Sequence, residues 1–168
     1  MKTELKQVLP EDREILSNLL EKYEYEFSQY DNRDVNKLGL YGYPYLDYYW
    51  AEKNRWAYFI KVDGQLAGFV MINDYTAVEG IKTDFVISEF FVMYKYRRAG
   101  VGKKAFFGVL GLHKGSWQLK RHQKNLPSVH FWNKVVDEYT CGNYKMIAAC
   151  PNTEYADGTL ADVFFFDS

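Results

Sequence analysis

The stretch that decides the fold runs from Ile87 to Leu110 and has the sequence ISEFFVMYKYRRAGVGKKAFFGVL. Its first part, Ile87 to Met93, is a mostly apolar run that is typical of a buried strand. The next part, Tyr94 to Gly102, is basic and contains two glycines. From about Gly100 onward, apolar residues recur at the i, i+3, i+4 spacing of a helix. The pattern therefore predicts a strand, a glycine-containing turn and a helix.

The turn between this strand and this helix has the features of an anion-binding site. The first turn of a helix leaves backbone N–H groups without partners, and the helix dipole adds partial positive charge there. Gly100 and Gly102 allow a ligand to approach the backbone closely, because they carry no side chain. Arg97, Arg98, Lys103 and Lys104 surround the turn with positive charge. The sequence therefore predicts a binding site for a phosphate or pyrophosphate group.

The glycine spacing of this turn, Arg97-x-x-Gly100-x-Gly102, is neither a Walker A motif nor a dinucleotide fingerprint. It closely resembles the pyrophosphate motif of the GNAT N-acetyltransferase superfamily. That resemblance implies acetyl-coenzyme A (acetyl-CoA) as the co-substrate, with its pyrophosphate on the loop and its pantetheine arm paired with the preceding strand. The residues that the resemblance assigns to acetyl-CoA are Phe91, Val92, Met93, Arg97, Arg98, Ala99, Gly100, Val101, Gly102, Lys103 and Asn125.

A second segment that resembles the family follows the fifth predicted strand. There Asn125 precedes a helix with Ser128 and the pair Phe131-Trp132, where the family has a small residue and an aromatic pair. Relatives often carry a tyrosine at the place of Trp132, and an indole N–H is not a practical acid for a thiolate. The proton donor to the leaving thiolate therefore stays open between another tyrosine and solvent.

The rest of the chain predicts the remaining elements. A first strand is expected at Thr3 to Leu9 and a helix from Pro10 to about Phe27, while Asp63-Gly64 is a strong hairpin signal. Further strands are predicted at 56–62, 65–73, 83–93, 117–121, 144–149 and 162–166, and further helices at 44–53, from 100 and from 127. The resemblance implies an α+β GNAT fold, with a single mixed, mostly antiparallel sheet flanked by helices. One acetyltransferase domain would span residues 1–168.

Composition limits the function classes. With 168 residues, 48% of them hydrophobic and 26% charged, the chain is expected to form one soluble domain. A net charge of −1 gives no global field toward nucleic acid or an anionic membrane. Cys141 and Cys150 have no metal-binding or disulfide-framework spacing, so we expect no metal and a reducing compartment. The N-terminus has no signal segment, which predicts a cytoplasmic location by default. A homodimer is compatible with the sequence.

Residues 23 to 50 are unusually rich in tyrosine and acidic side chains. Eight tyrosines lie there: Tyr23, Tyr25, Tyr30, Tyr41, Tyr43, Tyr45, Tyr48 and Tyr49. In the GNAT fold this segment lies over the acceptor cleft, so the resemblance implies that it lines the acceptor pocket, which would suit a cationic amine. The alternative is that most of these rings fill a core and leave their hydroxyls at the surface.

Glu89 is the candidate catalytic base. It lies in an otherwise apolar strand three residues before Val92, where a partly desolvated carboxylate has a raised pKa. The alternative is that Glu89 pairs with an Arg or Lys, or lies on the polar face of the strand. By resemblance, the backbone N–H of Val92 would polarise the thioester carbonyl.

These features predict an acyltransferase. We expect transfer of acetyl from acetyl-CoA to a small cationic amine, polyamine-like or aminoglycoside-like, with a peptide amine as second choice, by direct attack. Ser88 has no nucleophile motif and none of the three histidines has a Ser or Cys motif beside it, which argues against a covalent intermediate. The alternative is an acetyl-CoA-binding sensor or partner-binding module without turnover, and the missing tyrosine at Trp132 is its main support.

Overall fold

The computed structural model describes all 168 residues, which form one seven-stranded sheet with helices on both faces. The strands are β1 (Thr3–Gln7), β2 (Arg55–Val62), β3 (Gln65–Asn73), β4 (Phe85–Val92), β5 (Ser116–His122), β6 (Lys145–Ile147) and β7 (Ala161–Asp167). The helices are α1 (Arg13–Asp31), α2 (Tyr48–Ala51), α3 (Val101–Leu112) and α4 (Leu126–Thr140), with single 3-10 turns at Pro10–Asp12 and Tyr94–Tyr96. None of these helices combines the length and the hydropathy that crossing a bilayer requires.

The sheet has the strand order β1-β2-β3-β4-β5-β7-β6. Every neighbouring pair is antiparallel except β4 and β5, which are parallel. The predicted α+β class, with a mixed and mostly antiparallel sheet, is therefore confirmed. The hairpin signal is confirmed as well, because Asp63 (φ 47°) and Gly64 (φ 81°) both have the positive φ of a type I′ turn.

Two helices differ in length from the prediction. α1 continues past Phe27 to Asp31, and Asn32 ends it in the left-handed conformation that commonly terminates helices. The added turn is held by tertiary packing, because Tyr30 lies against the ring of His122. α2 is shorter than predicted, since the residues before it form turns in which N–H groups bond three residues back, as Leu46 does to Tyr43.

Most buried apolar residues form two large cores, one on each face of the sheet, and a small third cluster includes Cys150, Ala161 and Val163. Strand side chains alternate between faces, so Val70 and Ile72 pack under α3 and α4 while Phe69 and Met71 pack under α1. In β4 the same alternation places Glu89 and Phe91 on the α1 face and Phe90 and Val92 on the α3 and α4 face. The site described below lies where these two layers meet along β4.

Beyond Ile87, β4 and β5 separate. Their parallel pairing covers only Phe85 to Ile87 against Trp117 to Leu119. After that point β4 stays paired with β3 and β5 stays paired with β7. A β-bulge lies where β4 and β5 separate. Met71 pairs with Glu89 and Ile72 pairs with Ile87, so Ser88 has no partner residue in β3. The sheet therefore contains an open, wedge-shaped gap along one edge of β4.

Candidate active site

The gap between β4 and β5 exposes the backbone of Val92. The Met93 N–H donates to Ala67 O of β3 at 2.8 Å, so this peptide group points its N–H toward β3. In an antiparallel pair the bonding direction alternates along the strand, which directs the Val92 N–H away from β3 and into the gap. The gap therefore contains a backbone donor that β5 does not use.

The close approach of β3 to this part of β4 depends on Gly68. Gly68 lies opposite Val92 in the pairing register. A Cβ atom at Gly68 would overlap the carbonyl oxygen of Phe91 and lie 3.0 Å from Val92 Cα. Since that carbonyl and the Val92 N–H belong to the same peptide group, Gly68 helps to set the direction of the donor.

The glycine loop has the expected form. Arg98 (φ 59°) and Gly100 (φ 76°) are left-handed, and Gly100 directly precedes α3. Gly102 lies against Phe131 of α4, where a Cβ would approach the ring to 2.9 Å. The first N–H groups of α3 therefore point to an exposed loop that no side chain at Gly100 or Gly102 obstructs, which is the geometry of an anion site.

Three other residues assigned to acetyl-CoA have partners within the protein. The Arg97 guanidinium donates to both carboxylate oxygens of Glu26 and, through Nε, to the carbonyl oxygen of Val92. Lys103 forms an ion pair with Glu138 at 2.6 Å. The Asn125 side chain caps α4 by accepting from the Ser128 N–H at 3.2 Å. Arg98 is exposed beside the loop.

Glu89 is half-buried on the α1 face, beneath α1 and the loop that follows it. The Tyr43 hydroxyl donates to Glu89 Oε1 at 3.1 Å. Burial raises the pKa of Glu89 from its ordinary value to about 7, although hydrogen bonds from Tyr23 and Tyr43 oppose the shift by favouring the charged form. A carboxylate with this pKa changes its protonation state near neutral pH, as a general base requires.

The loop that carries Tyr43 is fixed by α1. Both carboxylate oxygens of Glu21 accept backbone N–H groups, from Tyr41 at 2.9 Å and from Gly42 at 2.7 Å. Gly42 has a positive φ of 73°, which turns the chain so that Tyr43 faces Glu89. The sequence gives no local signal for this arrangement, because Tyr43 and Glu89 are far apart in the chain.

An aromatic wall continues from Glu89 toward β5. Phe27 of α1, His122 of β5 and Tyr155 of the loop before β7 pack together, with the centroids of His122 and Tyr155 4.6 Å apart. The Lys120 ammonium lies 4.9 Å from the centre of the Tyr155 ring. Sequence reasoning missed Tyr155, because it lies outside every motif and its position is set by the packing of the last loop.

The tyrosines of residues 23 to 50 lie in different surroundings. Tyr49 is buried, and its hydroxyl lies 2.8 Å from Ser88 Oγ, while Tyr43 faces Glu89. Tyr25 and Tyr45 are exposed. Some of these rings therefore line the site beside Glu89, while others have a structural role or lie on the surface.

Trp132 and the histidines lie in different surroundings. Trp132 is buried, with its ring against Phe90 and Phe106 in the core under α3 and α4. His122 is buried and lies 3.1 Å from Asp157, while His130 is exposed. No group of three or more His, Cys, Asp or Glu side chains is arranged to hold a metal ion.

A cavity of about 520 Å³ lies between the outer side of α1 and the end of β4. Tyr25, Glu26, Phe91, Met93 and Tyr94 are among its lining residues, and Glu89 is not. The cavity therefore adjoins the segment of β4 that the family resemblance assigns to the pantetheine arm. The groups suited to proton transfer lie around Glu89, further back along the same strand.

Comparison with known proteins identifies the family. Residues 14–136 match the model of the Acetyltransferase (GNAT) family, so the chain belongs to the GNAT acetyltransferases. No curated protein matches the chain by sequence.

Solved structures share the fold across nearly the whole chain. An acetyltransferase from Thermus thermophilus is similar with a TM-score of 0.69 and 11% identity, covering 100% of this chain and 98% of that one. Spermidine N-acetyltransferase from Vibrio cholerae, in complex with CoA and spermine, is similar with a TM-score of 0.65 and 11% identity. The match covers 98% of this chain and 95% of that one. PaiA N-acetyltransferase from Thermoplasma acidophilum, in complex with CoA, is similar with a TM-score of 0.60 and 13% identity, and the match covers 100% of both chains.

Proposed function

We propose that the protein transfers the acetyl group of acetyl-CoA to the amine of a small cationic acceptor by direct attack. The observation that carries the proposal is that β4 presents two features: the Val92 N–H directed into the gap, and, three residues earlier on the same strand, Glu89 with a pKa near 7. The pyrophosphate would bind at Gly100 to Lys103, and the pantetheine arm would run along Phe91 to Met93.

The reaction needs a neutral amine. Glu89, as carboxylate, would accept one proton from the bound ammonium, directly or through water. The nitrogen lone pair then attacks the thioester carbonyl carbon while the Val92 N–H stabilises the negative charge that develops on oxygen. When the C–S bond breaks, the amide is complete. Of the two protons that the ammonium loses, one ends on the CoA thiol and the other in solvent.

The cationic nature of the acceptor is supported by the surroundings of Glu89. The Tyr23 and Phe27 rings would supply faces that attract a cation, and Glu89 would supply the negative charge. The similar spermidine N-acetyltransferase from Vibrio cholerae points the same way. A peptide amine is the second choice.

The proposal is tested by measuring thiol release from acetyl-CoA with polyamines, aminoglycosides, simple monoamines and peptides. We expect polyamines or aminoglycosides to drive release and peptides to drive less. Release with peptides alone would overturn the acceptor class. Binding of acetyl-CoA without release would favour the alternative, a sensor without turnover, which is supported by the presence of Trp132 where the family often has a tyrosine.

Replacing Tyr43 by Phe is expected to shift the pH dependence of turnover. The hydrogen bond from Tyr43 favours the charged form of Glu89, so its removal moves the pKa of Glu89, and with it the rising acidic limb of kcat/KM, to higher pH. At pH 7 we expect a loss of about three- to tenfold that recovers above pH 8. The matched control is Tyr48→Phe, at an exposed tyrosine of α2. An unshifted profile would remove Tyr43 from the mechanism.

A further inference from the structure

Arg97 connects the end of β4 and the turn that follows it to α1, which is distant in sequence. Its guanidinium forms a two-pronged ion pair with Glu26 of α1, with both N–O distances at 2.7 Å. Its Nε–H donates to the carbonyl oxygen of Val92 at 2.6 Å. The guanidinium also lies over the Tyr94 ring, with Cζ 4.2 Å from the centroid. Such bidentate contacts fix orientation as well as distance.

The Val92–Met93 peptide group is held from both sides by these contacts. Its N–H donates to Ala67 O in β3, and its C=O accepts from Arg97. The preceding peptide group, which carries the Val92 N–H, is therefore attached to a unit that cannot rotate freely. At the end of β4, where β5 is not paired with it, the Arg97 side chain donates the hydrogen bond to the Val92 carbonyl that a neighbouring strand would otherwise supply.

The other end of the same contact fixes α1. Glu26 lies one turn after Tyr23, whose hydrogen bond contributes to the pKa of Glu89 and whose ring packs on Phe91. Phe27, the next residue, begins the aromatic wall. The Glu26–Arg97 pair is only partly exposed, with 23% and 30% of the side-chain surfaces accessible, so solvent does not fully screen it.

We propose that Glu26 and Arg97 are positioning residues, whose ion pair braces α1 against the end of β4 and so holds the Val92 N–H and the Glu89 site in register. This inference rests on the proposed function. It assigns the Arg97 side chain a role different from the phosphate contact that the motif resemblance implies. The carboxylate of Glu26 neutralises the guanidinium and contacts both of its terminal nitrogens, which leaves Arg98, Lys104 and the α3 N-terminus as positive groups at the loop.

The two roles of Arg97 predict opposite effects of Glu26→Gln. If Arg97 is a brace, Glu26→Gln and Arg97→Lys each lower kcat about ten- to a hundredfold, with the KM for acetyl-CoA within about threefold. The double variant is then no worse than Arg97→Lys, because the two changes remove one interaction. If Arg97 binds phosphate instead, Glu26→Gln frees the charge of Arg97 and lowers the KM for acetyl-CoA. Arg97→Gln then raises the KM for acetyl-CoA. This pair of results would overturn the proposal.

Hydrogen–deuterium exchange tests the brace without turnover. We expect faster exchange in Glu26→Gln at residues 23–31 and 91–97, and wild-type exchange in the control Glu14→Gln, an exposed acid in the first turn of α1. Unchanged exchange in both segments, or a lowered Tm with unchanged kcat, would refute the positioning role. If the wild type transfers no acetyl to any acceptor, the proposed function fails, whereas the exchange data still decide whether the brace exists.

Discussion

Glu89→Gln is expected to lower kcat about a hundredfold or more at pH 8, because a general base contributes about two to four orders of magnitude. The affinity for acetyl-CoA should change less than about twofold, since Gln keeps the size of the side chain and an oxygen that can accept from Tyr43. In the wild type, kcat/KM should rise with pH through the pKa of Glu89 near 7, and the variant should lose this limb. Turnover and isothermal titration with acetyl-CoA are the measurements.

The matched control is Glu79→Gln, which makes the same change at an exposed residue. It should behave as the wild type. A Glu89→Gln enzyme with full turnover and an intact pH limb would show that another group accepts the proton, and the proposed role of Glu89 would be wrong.

Glu89→Gln is expected to raise stability at neutral and basic pH while it lowers activity. The folded protein holds the Glu89 proton more tightly than the unfolded chain, because burial raises the pKa from about 4.5 to about 7. The ionisation therefore costs stability progressively as the pH rises from about 4.5 to about 7. Glu89→Gln has no such ionisation, so above pH 7 its Tm should exceed that of the wild type, and the gap should narrow below pH 5. A loss of activity with this gain in stability cannot be explained by misfolding.

Gly68→Ala is expected to be the most damaging small substitution in the sheet. The new Cβ would overlap the Phe91 carbonyl oxygen, and because the obstacle is backbone, no side-chain rotation can relieve it. β4 must move away from β3, which should cost about 1–3 kcal/mol of the free energy of unfolding. Because the displaced peptide carries the Val92 N–H, kcat/KM should fall about a hundredfold. Thermal unfolding and steady-state kinetics measure the two effects.

Gly111→Ala is the control for this substitution. Gly111 lies in α3 with nothing within 4 Å of its Cβ position, so alanine should be neutral or stabilising there. A Gly68→Ala protein with the Tm and activity of the wild type would contradict the close approach of β3 and β4 that orients the donor.

The local features of the fold could be predicted because they depend on short-range chemistry. The apolar run before Met93, the glycines at 100 and 102 and the helical spacing after them are all contained in one stretch, and Asp63-Gly64 defines its own turn. Glu89 could be singled out for the same reason, since one carboxylate in an apolar strand is visible in the sequence alone.

The groups around Glu89 could not be predicted, because they come together only when α1 packs on the sheet. Many tyrosines are near one another in sequence, but Tyr43 reaches Glu89 because Glu21 anchors the backbone at Tyr41 and Gly42. Tyr155 arrives from the last loop of the chain. No spacing rule connects these positions.

The sequence by itself determined a strand, a glycine loop and a helix that match the GNAT family, because hydrophobic period and glycine placement act over a few residues. The tertiary structure alone decided which way the Val92 N–H points and what the Arg97 side chain contacts. Both depend on where β5 leaves β4 and on how α1 lies across the end of that strand, and these are set by packing between segments that the sequence places far apart.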